Sequence, residues 1–293
     1  MDVYAYLGHA KADLELITQD LSRYYITYKI RKHSGKSRRI DAPQQPLKAI
    51  QKDILERILY IYKAHPLAHG FVKDKSPATN AAAHVGKKYL VTLDIKDFFH
   101  SIAEVTVTRC LDWLFKQQAK FTYDPADIDL LAKLMCYNGG LPQGSPTSPV
   151  MSNLVCLALD KKLEDYAAAN KAVVTRYADD IAISSDDVGI TKSYHTVLSI
   201  ILHYGLRPNK RKTKIRKYFQ RQQVTGVVVN NKLGVSKEKW RNMRAKIHNL
   251  IRDGKTIDRS EYQQMRGFLE WIRSLNPNRG NQLIQQLSQI KVV

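Results

Sequence analysis

The chain has 293 residues, 44% of them hydrophobic, enough to bury a large core in one domain or a few closely packed subdomains, and this excludes a disordered chain. Lysine and arginine number 47 against 27 aspartate and glutamate, a net charge of +20 that exceeds any need of solubility and points to a polyanionic partner. Nucleic acid stands ahead of a merely basic or ribosome-associated role because 16 tyrosines, able to stack on bases, accompany the cations.

Met1 to Asp20 carries neither a signal-peptide nor a transit-peptide pattern, and no stretch suits a membrane span, so a cytoplasmic protein with no membrane partner is expected. Residues 1–25 read as helix, and Tyr28 to Ile40 as a basic hairpin turning at Ser34 and Gly35. Helical spacing of Ile50, Ile54, Leu55, Ile58, Leu59 and Tyr62 predicts a helix over 47–64, which Pro66 stops. Tyr89 to Leu93 reads as a strand ending at Asp94. Helices follow over 102–119 and 125–135, then a Gly-Pro-rich loop over 139–146 and one long helix over 148–169. Val173 to Ala178 and Ile181 to Ser184 form a hairpin with Asp179 and Asp180 in its turn. A helix over 191–204, a basic strand-like segment, a run from Val224 to Asn230 and a helical tail from Ser236 complete the chain. Cys110, Cys136 and Cys156 match neither a zinc spacing nor a disulfide set and are expected to be reduced and buried. The order of elements describes an α+β protein with a small antiparallel central sheet.

Apolar strands that end in carboxylates desolvate them, and a divalent cation is one way to compensate that cost. Setting the three strands side by side gathers Asp94, Asp179 and Asp180 at one edge, a hard oxygen donor set suited to magnesium. Two such ions would serve an in-line phosphoryl transfer.

Tyr177-Ala178-Asp179-Asp180 followed by Ile181-Ala182-Ile183-Ser184 resembles the catalytic hairpin of reverse transcriptases. Asp94-Ile95-Lys96-Asp97-Phe98-Phe99 resembles the family's upstream motif, and Leu141-Pro142-Gln143-Gly144-Ser145-Pro146 the motif between them. The resemblance implies a right-hand polymerase fold, two magnesium ions held by Asp94, the Ile95 carbonyl, Asp179 and Asp180, and deoxynucleoside triphosphates as substrates. It implies that Phe99 lies beneath the incoming sugar and Gln143 near the nucleotide. Lys36, Arg38 and Arg39 would meet the triphosphate, Arg38 foremost, and Lys212 the departing pyrophosphate. Fingers would span 1–88, palm 89–235 with a helical insertion near 102–138, and a helical thumb 236–293, with Lys237, Lys239, Arg241, Arg244 and Lys246 facing a template–primer duplex.

Asn80-Ala81-Ala82-Ala83-His84 and Val224-Thr225-Gly226 are similar to the two signatures of retron reverse transcriptases. This implies a cognate structured noncoding RNA as template and primer, a branched RNA–DNA product, and a phage-defence role with a separately encoded effector protein. Asn80, His84, Val224, Thr225 and Gly226 become candidates for RNA contacts, or for shaping the fold that makes them. The rivals are a group II intron or diversity-generating reverse transcriptase, the former disfavoured by the compact tail, and a scaffold that binds RNA and restrains the effector.

Overall fold

The computed structural model describes residues 1–31, 35 and 37–293. Two short helices, α1 (Val3–Leu7) and α2 (Lys11–Gln19), and a 3₁₀ turn at Leu21–Tyr24 replace the single helix expected over 1–25. The break comes at Gly8, whose backbone is left-handed (φ 81°) and closes α1. Strands β1 (Tyr25–Arg31) and β2 (Ser37–Pro43) then pair antiparallel as a two-stranded ribbon, longer at its base than the sequence pattern predicts.

Helix α3 covers Leu47–Asp53, after which the expected helix loosens to a π turn at Ile54–Ile58 and tightens to a 3₁₀ turn at Leu59–Ile61. Ile54, Ile58 and Leu59 are all fully buried, so tertiary packing rather than a local breaker sets these irregular turns. Helix α4 (Pro77–Ala82) starts with a reciprocal capping box between Ser76 and Thr79 and proline at its first position.

Strand β3 (Tyr89–Asp94) leads to the short α5 (Phe98–Ser101), α6 (Glu104–Gln118) and α7 (Pro125–Met135), the last capped by Asp124 and Asp127. The single long helix expected over 148–169 is two, α8 (Ser148–Val155) and α9 (Leu157–Ala169), with a break at Cys156. Strands β4 (Val173–Tyr177) and β5 (Asp180–Ser185), helix α10 (Ile190–His203) and strand β6 (Lys214–Lys217) complete a four-stranded antiparallel sheet in the order β4-β5-β3-β6. The run from Val224 resolves into β7 (Gln223–Val224) and β8 (Val227–Val228). Helices α11 (Lys237–Arg252), α12 (Arg259–Leu275) and α13 (Pro277–Leu287) form the C-terminal part.

Alternation along the strands gives the sheet two different faces. Val91, Leu93, Ile181 and Ile183 enter the main core with helices α6 to α10. Leu90 and Ala182 point the other way, where Ala81 of α4 and Val224, Val227 and Val229 cover them, with Trp271 and Leu275 of α12 packed alongside. This second cover stops short of one end of the sheet, leaving Thr92, Asp180 and Lys214 open to a hollow. The C-terminal helices have their own core of Ile247, Met265, Leu269, Leu283 and Leu287. Gly280 lets α13 close on α12: a Cβ there would stand 2.3 Å from the Arg273 Cα. Cys136 and Cys156 are buried and all three cysteines are free. Among the described residues, no helix is long and apolar enough to cross a membrane.

Candidate active site

Register brings the acids together. Asp94, the last residue of β3, pairs directly with Asp180, the first of β5. The turn between β4 and β5 is pulled onto the end of β3 because the Ile95 amide donates to the Asp179 carbonyl at 2.9 Å. Ala178 makes that turn possible in a left-handed conformation (φ 54°), unusual for a residue with a Cβ.

A cleft of about 320 Å³ is lined by Asp94, Asp179, Asp180, Arg38, Lys212 and Lys214. Burial raises the Asp179 carboxyl above the ordinary carboxylate range, and Asp94 beside it adds to the effect. Asp180 is pushed up to about 6, by desolvation first and then by the neighbouring carboxylates of Asp179 and Asp94. Its side chain touches the water of the cleft, so the crowding of like charges is the firmer of the two causes. Asp94 accepts from Lys212 Nζ at 2.7 Å and from Asn209 Nδ2 at 3.1 Å, and this carboxylate holds the Lys212 amine above its ordinary range. Among the described residues, no three His, Cys, Asp or Glu side chains close on one metal position.

Of the cations expected at the triphosphate, Arg38 lines the cleft, whereas Arg39 turns to Asp41 at 2.8 Å. Lys36 lies outside the described residues. Asp41 is almost wholly buried and, against the cost of desolvation, hydrogen bonds from Thr27, Arg39 and His100 hold its carboxyl below the ordinary range. Its amide donates to the Gln143 carbonyl at 2.9 Å. Asp41 therefore ties the β1–β2 ribbon to the loop that carries Gln143. Half-buried Phe99 stands with Phe98, Phe71 and, through Phe71, Tyr177 in an aromatic cluster beside the turn that carries Asp179.

The supports of that turn are the residues sequence reasoning passed over. Arg176, with no exposed surface, donates Nε and Nη2 to the two Asp160 oxygens at 2.6 Å each. Its Nη1 donates to Asn153 Oδ1 at 3.1 Å and to the Ala178 carbonyl at 3.2 Å, so a buried guanidinium clamps the strained residue next to Asp179. Asn153 in turn donates to the Gly70 carbonyl at 2.9 Å. Gly70 must be glycine for its neighbour's sake, since a Cβ would meet the Ala178 nitrogen at 2.7 Å. Arg176 sits in a strand of Val, Val, Thr and Tyr, and an arginine inside an apolar strand is the signal that could have found it.

The two retron-like signatures meet each other. Thr225 (φ 45°) and Gly226 (φ 84°) are the central residues of the β7–β8 hairpin, and two successive positive φ values describe a type I′ turn. A β-branched residue in that region is strained, and Thr225 is held there by its hydroxyl donating to the Pro77 carbonyl at 3.1 Å while accepting from Asn80 Nδ2 at 3.4 Å. Asn80, Val224, Thr225 and Gly226 line a second hollow of about 740 Å³ that also reaches Asp180, Lys214 and Arg216. The buried Oδ1 of Asn80 has no partner among the described residues. His84 is fully buried, its ring nitrogens paired with Ser184 Oγ at 2.7 Å and Thr175 Oγ1 at 2.8 Å, so it pins α4 to β4 and β5 and offers no surface to a ligand. Burial pushes its pKa down to about 3, with His69 adding to the shift.

Residues 30–253 match the family described as reverse transcriptase (RNA-dependent DNA polymerase). The retron Ec86 reverse transcriptase of Escherichia coli is 32% identical over 280 residues, covering 95% of this chain and 84% of that protein. The retron Mx65 reverse transcriptase of Myxococcus xanthus is 32% identical over 90% of this chain but only 64% of its own length. Among solved structures, telomerase from Candida albicans superposes with a TM-score of 0.56 at 12% identity, covering 90% of this chain and 54% of the telomerase chain. Telomerase from Candida tropicalis gives 0.54 at 11% identity, covering 91% and 56%. At such identities the telomerase likeness shows the right-hand polymerase fold alone.

Proposed function

Because the chain belongs to the reverse transcriptase family, and within it to the retron reverse transcriptases, we propose that this RNA-directed DNA polymerase copies a dedicated structured noncoding RNA into a branched RNA–DNA product. The observation that carries the reading is the convergence of Asp94, Asp179 and Asp180 with Arg38 and Lys212 on one cleft.

The donor set fits magnesium, being hard oxygen ligands whose burial and mutual crowding raise Asp179 and Asp180. Asp94, Asp179, Asp180 and the Ile95 carbonyl would hold two ions, once Lys212 releases Asp94. Bound there, the metals would supply activation of the attacking hydroxyl and charge neutralisation at the leaving phosphates. Lys212, freed from Asp94, remains beside the cleft to meet the departing pyrophosphate. Arg38 offers a planar fork to the triphosphate. Arg39 serves through Asp41, which fixes the ribbon against the Gln143 loop beside the incoming nucleotide. Phe99 presents a ring that would collide with a ribose 2′-hydroxyl.

In this reading Asn80 and the turn Val224 to Gly226 face the RNA strand in the second hollow, and His84 holds α4 behind them. The RNA supplies the template and, through a guanosine 2′-hydroxyl, the primer. A separately encoded effector restrained by enzyme and product would complete a phage-defence system.

The test is to purify the chain from its host and digest the bound nucleic acid separately with ribonuclease and deoxyribonuclease. The native chain should carry a branched species sensitive to both, and the D179N/D180N variant should carry RNA with no DNA at unchanged thermal stability. DNA persisting on the variant would remove the site assignment, and RNA alone on the native chain would favour the scaffold.

A further inference from the structure

The turn between β6 and β7 exposes two aromatic rings that neither the core nor the catalytic cleft uses. Tyr218 is 65% and Phe219 68% exposed, and they stand edge to face with centroids 5.3 Å apart. Large apolar surface left in water on so basic a protein calls for an occupant.

The backbone that carries the rings is braced. The Gln220 amide donates to the Lys217 carbonyl at 2.9 Å, and the Gln220 side chain accepts from the Lys217 amide at 3.0 Å. Asn230 Nδ2 reaches across to donate to the carbonyls of Tyr218 and Gln220 at 2.9 and 2.7 Å, while its Oδ1 accepts from the Gln222 amide at 2.9 Å. A backbone fixed from both sides loses little freedom when something stacks on the rings it carries.

Beside Phe219 lies a hollow of about 820 Å³, lined by Arg221, Lys237 and Arg241 with the amides of Asn230, Asn231 and Asn242 and with Val228 and Val235. Lys217 stands 6.0 Å from the Phe219 ring, so four cations surround the platform against one lining acid, Glu238. Gln220 and Arg221 also line the hollow that reaches Asp180, forming a shared rim between the two. A strand leaving the catalytic sheet along Lys214 and Arg216 can thus cross Arg221 onto the aromatic turn.

We infer that Tyr218 and Phe219, with the hollow beside them, hold an unpaired nucleotide of an RNA strand. Its base stacks on the exposed ring and its phosphates lie along Arg221, Lys237 and Arg241. The cations specify a polyanion, which disfavours a protein partner. Flat rings need an exposed base face, which a duplex does not offer. RNA is chosen because it is the nucleic acid this family takes as template. The site lies outside the polymerisation cleft, and the inference is read by binding alone, with no deoxynucleotide present.

The probe is a 12-nucleotide oligoadenylate carrying one central 2-aminopurine, titrated with the full chain. Stacking should quench the fluorophore on binding. Y218A/F219A should abolish most of that quench and weaken binding by about 5- to 100-fold, as expected for loss of base–aromatic stacking. Affinity for a 12-base-pair RNA duplex at the same salt should change less than twofold, and F219W should keep the quench. Equal losses on single strand and duplex, or no loss on either, would overturn the inference. Tighter binding of the matching oligodeoxyadenylate would overturn the choice of RNA.

Discussion

Replacing Arg176 by methionine tests whether the turn that carries Asp179 is held by a buried charge. The change leaves Asp160, which has no exposed surface, without the two hydrogen bonds of 2.6 Å that satisfy its carboxylate. Breaking a buried pair from one side costs about 3–5 kcal/mol, because the abandoned charge cannot reach water. For a chain of this size that is a fall in Tm on the order of 10 °C, followed by circular dichroism. Pairing R176M with D160L removes both charges and should recover most of the stability. It should not recover polymerisation, because the guanidinium that donates to the Ala178 carbonyl is gone. A single-variant loss under about 1 kcal/mol, or a double variant as unstable as R176M, would refute the argument.

G144A should cut turnover more than stability: Gly144 has φ 140°, and a Cβ would stand 2.7 Å from the Asp41 carbonyl, so the loop carrying Gln143 must move. Steady-state extension of a primed RNA should show kcat falling at least about tenfold with a stability loss of about 1–3 kcal/mol, and an unchanged kcat would show that the loop position is immaterial. His84 predicts acid sensitivity with a defined window. Its folded pKa of about 3 lies below the ordinary 6.5, so its contribution is complete above 6.5 and is lost as pH falls toward 3, about 2 kcal/mol by pH 5. Denaturation between pH 7 and 5 should show that slope in the native chain and a shallower one in H84Q.

The parts of the site that were legible in the sequence are those whose chemistry is local. The acidic turn, the strand before Asp94 and the basic segment through Lys212 each carry their signal within a few residues, and antiparallel pairing of β3 with β5 assembles them. What the sequence hid are partners far apart along the chain. Asp160 reads as a surface acid of a long helix until α8 and α9 break at Cys156 and both Asn153 and Asp160 reach Arg176. No glycine or proline marks that break, which lies between Asn153 and Asp160, the two side chains that take four-way hold of Arg176 together with the Ala178 carbonyl. Asp41 is hidden in the same way, since its ties to His100 and Gln143 span distant segments.

The two short signatures show how far a motif can mislead about what its residues touch. Read as strings, Asn80 to His84 and Val224 to Gly226 invite one role each. In the fold they are two halves of a clasp. The type I′ turn strains Thr225, the Asn80 side chain and the Pro77 carbonyl hold that strain, and His84 fastens the end of the same helix to Thr175 of β4 and Ser184 of β5. The turn is thereby set at a fixed distance from Asp180 across a shared hollow. A substitution of His84 or of Asn80, both buried, therefore acts on any RNA in that hollow through the position of α4 and of the Thr225–Gly226 turn.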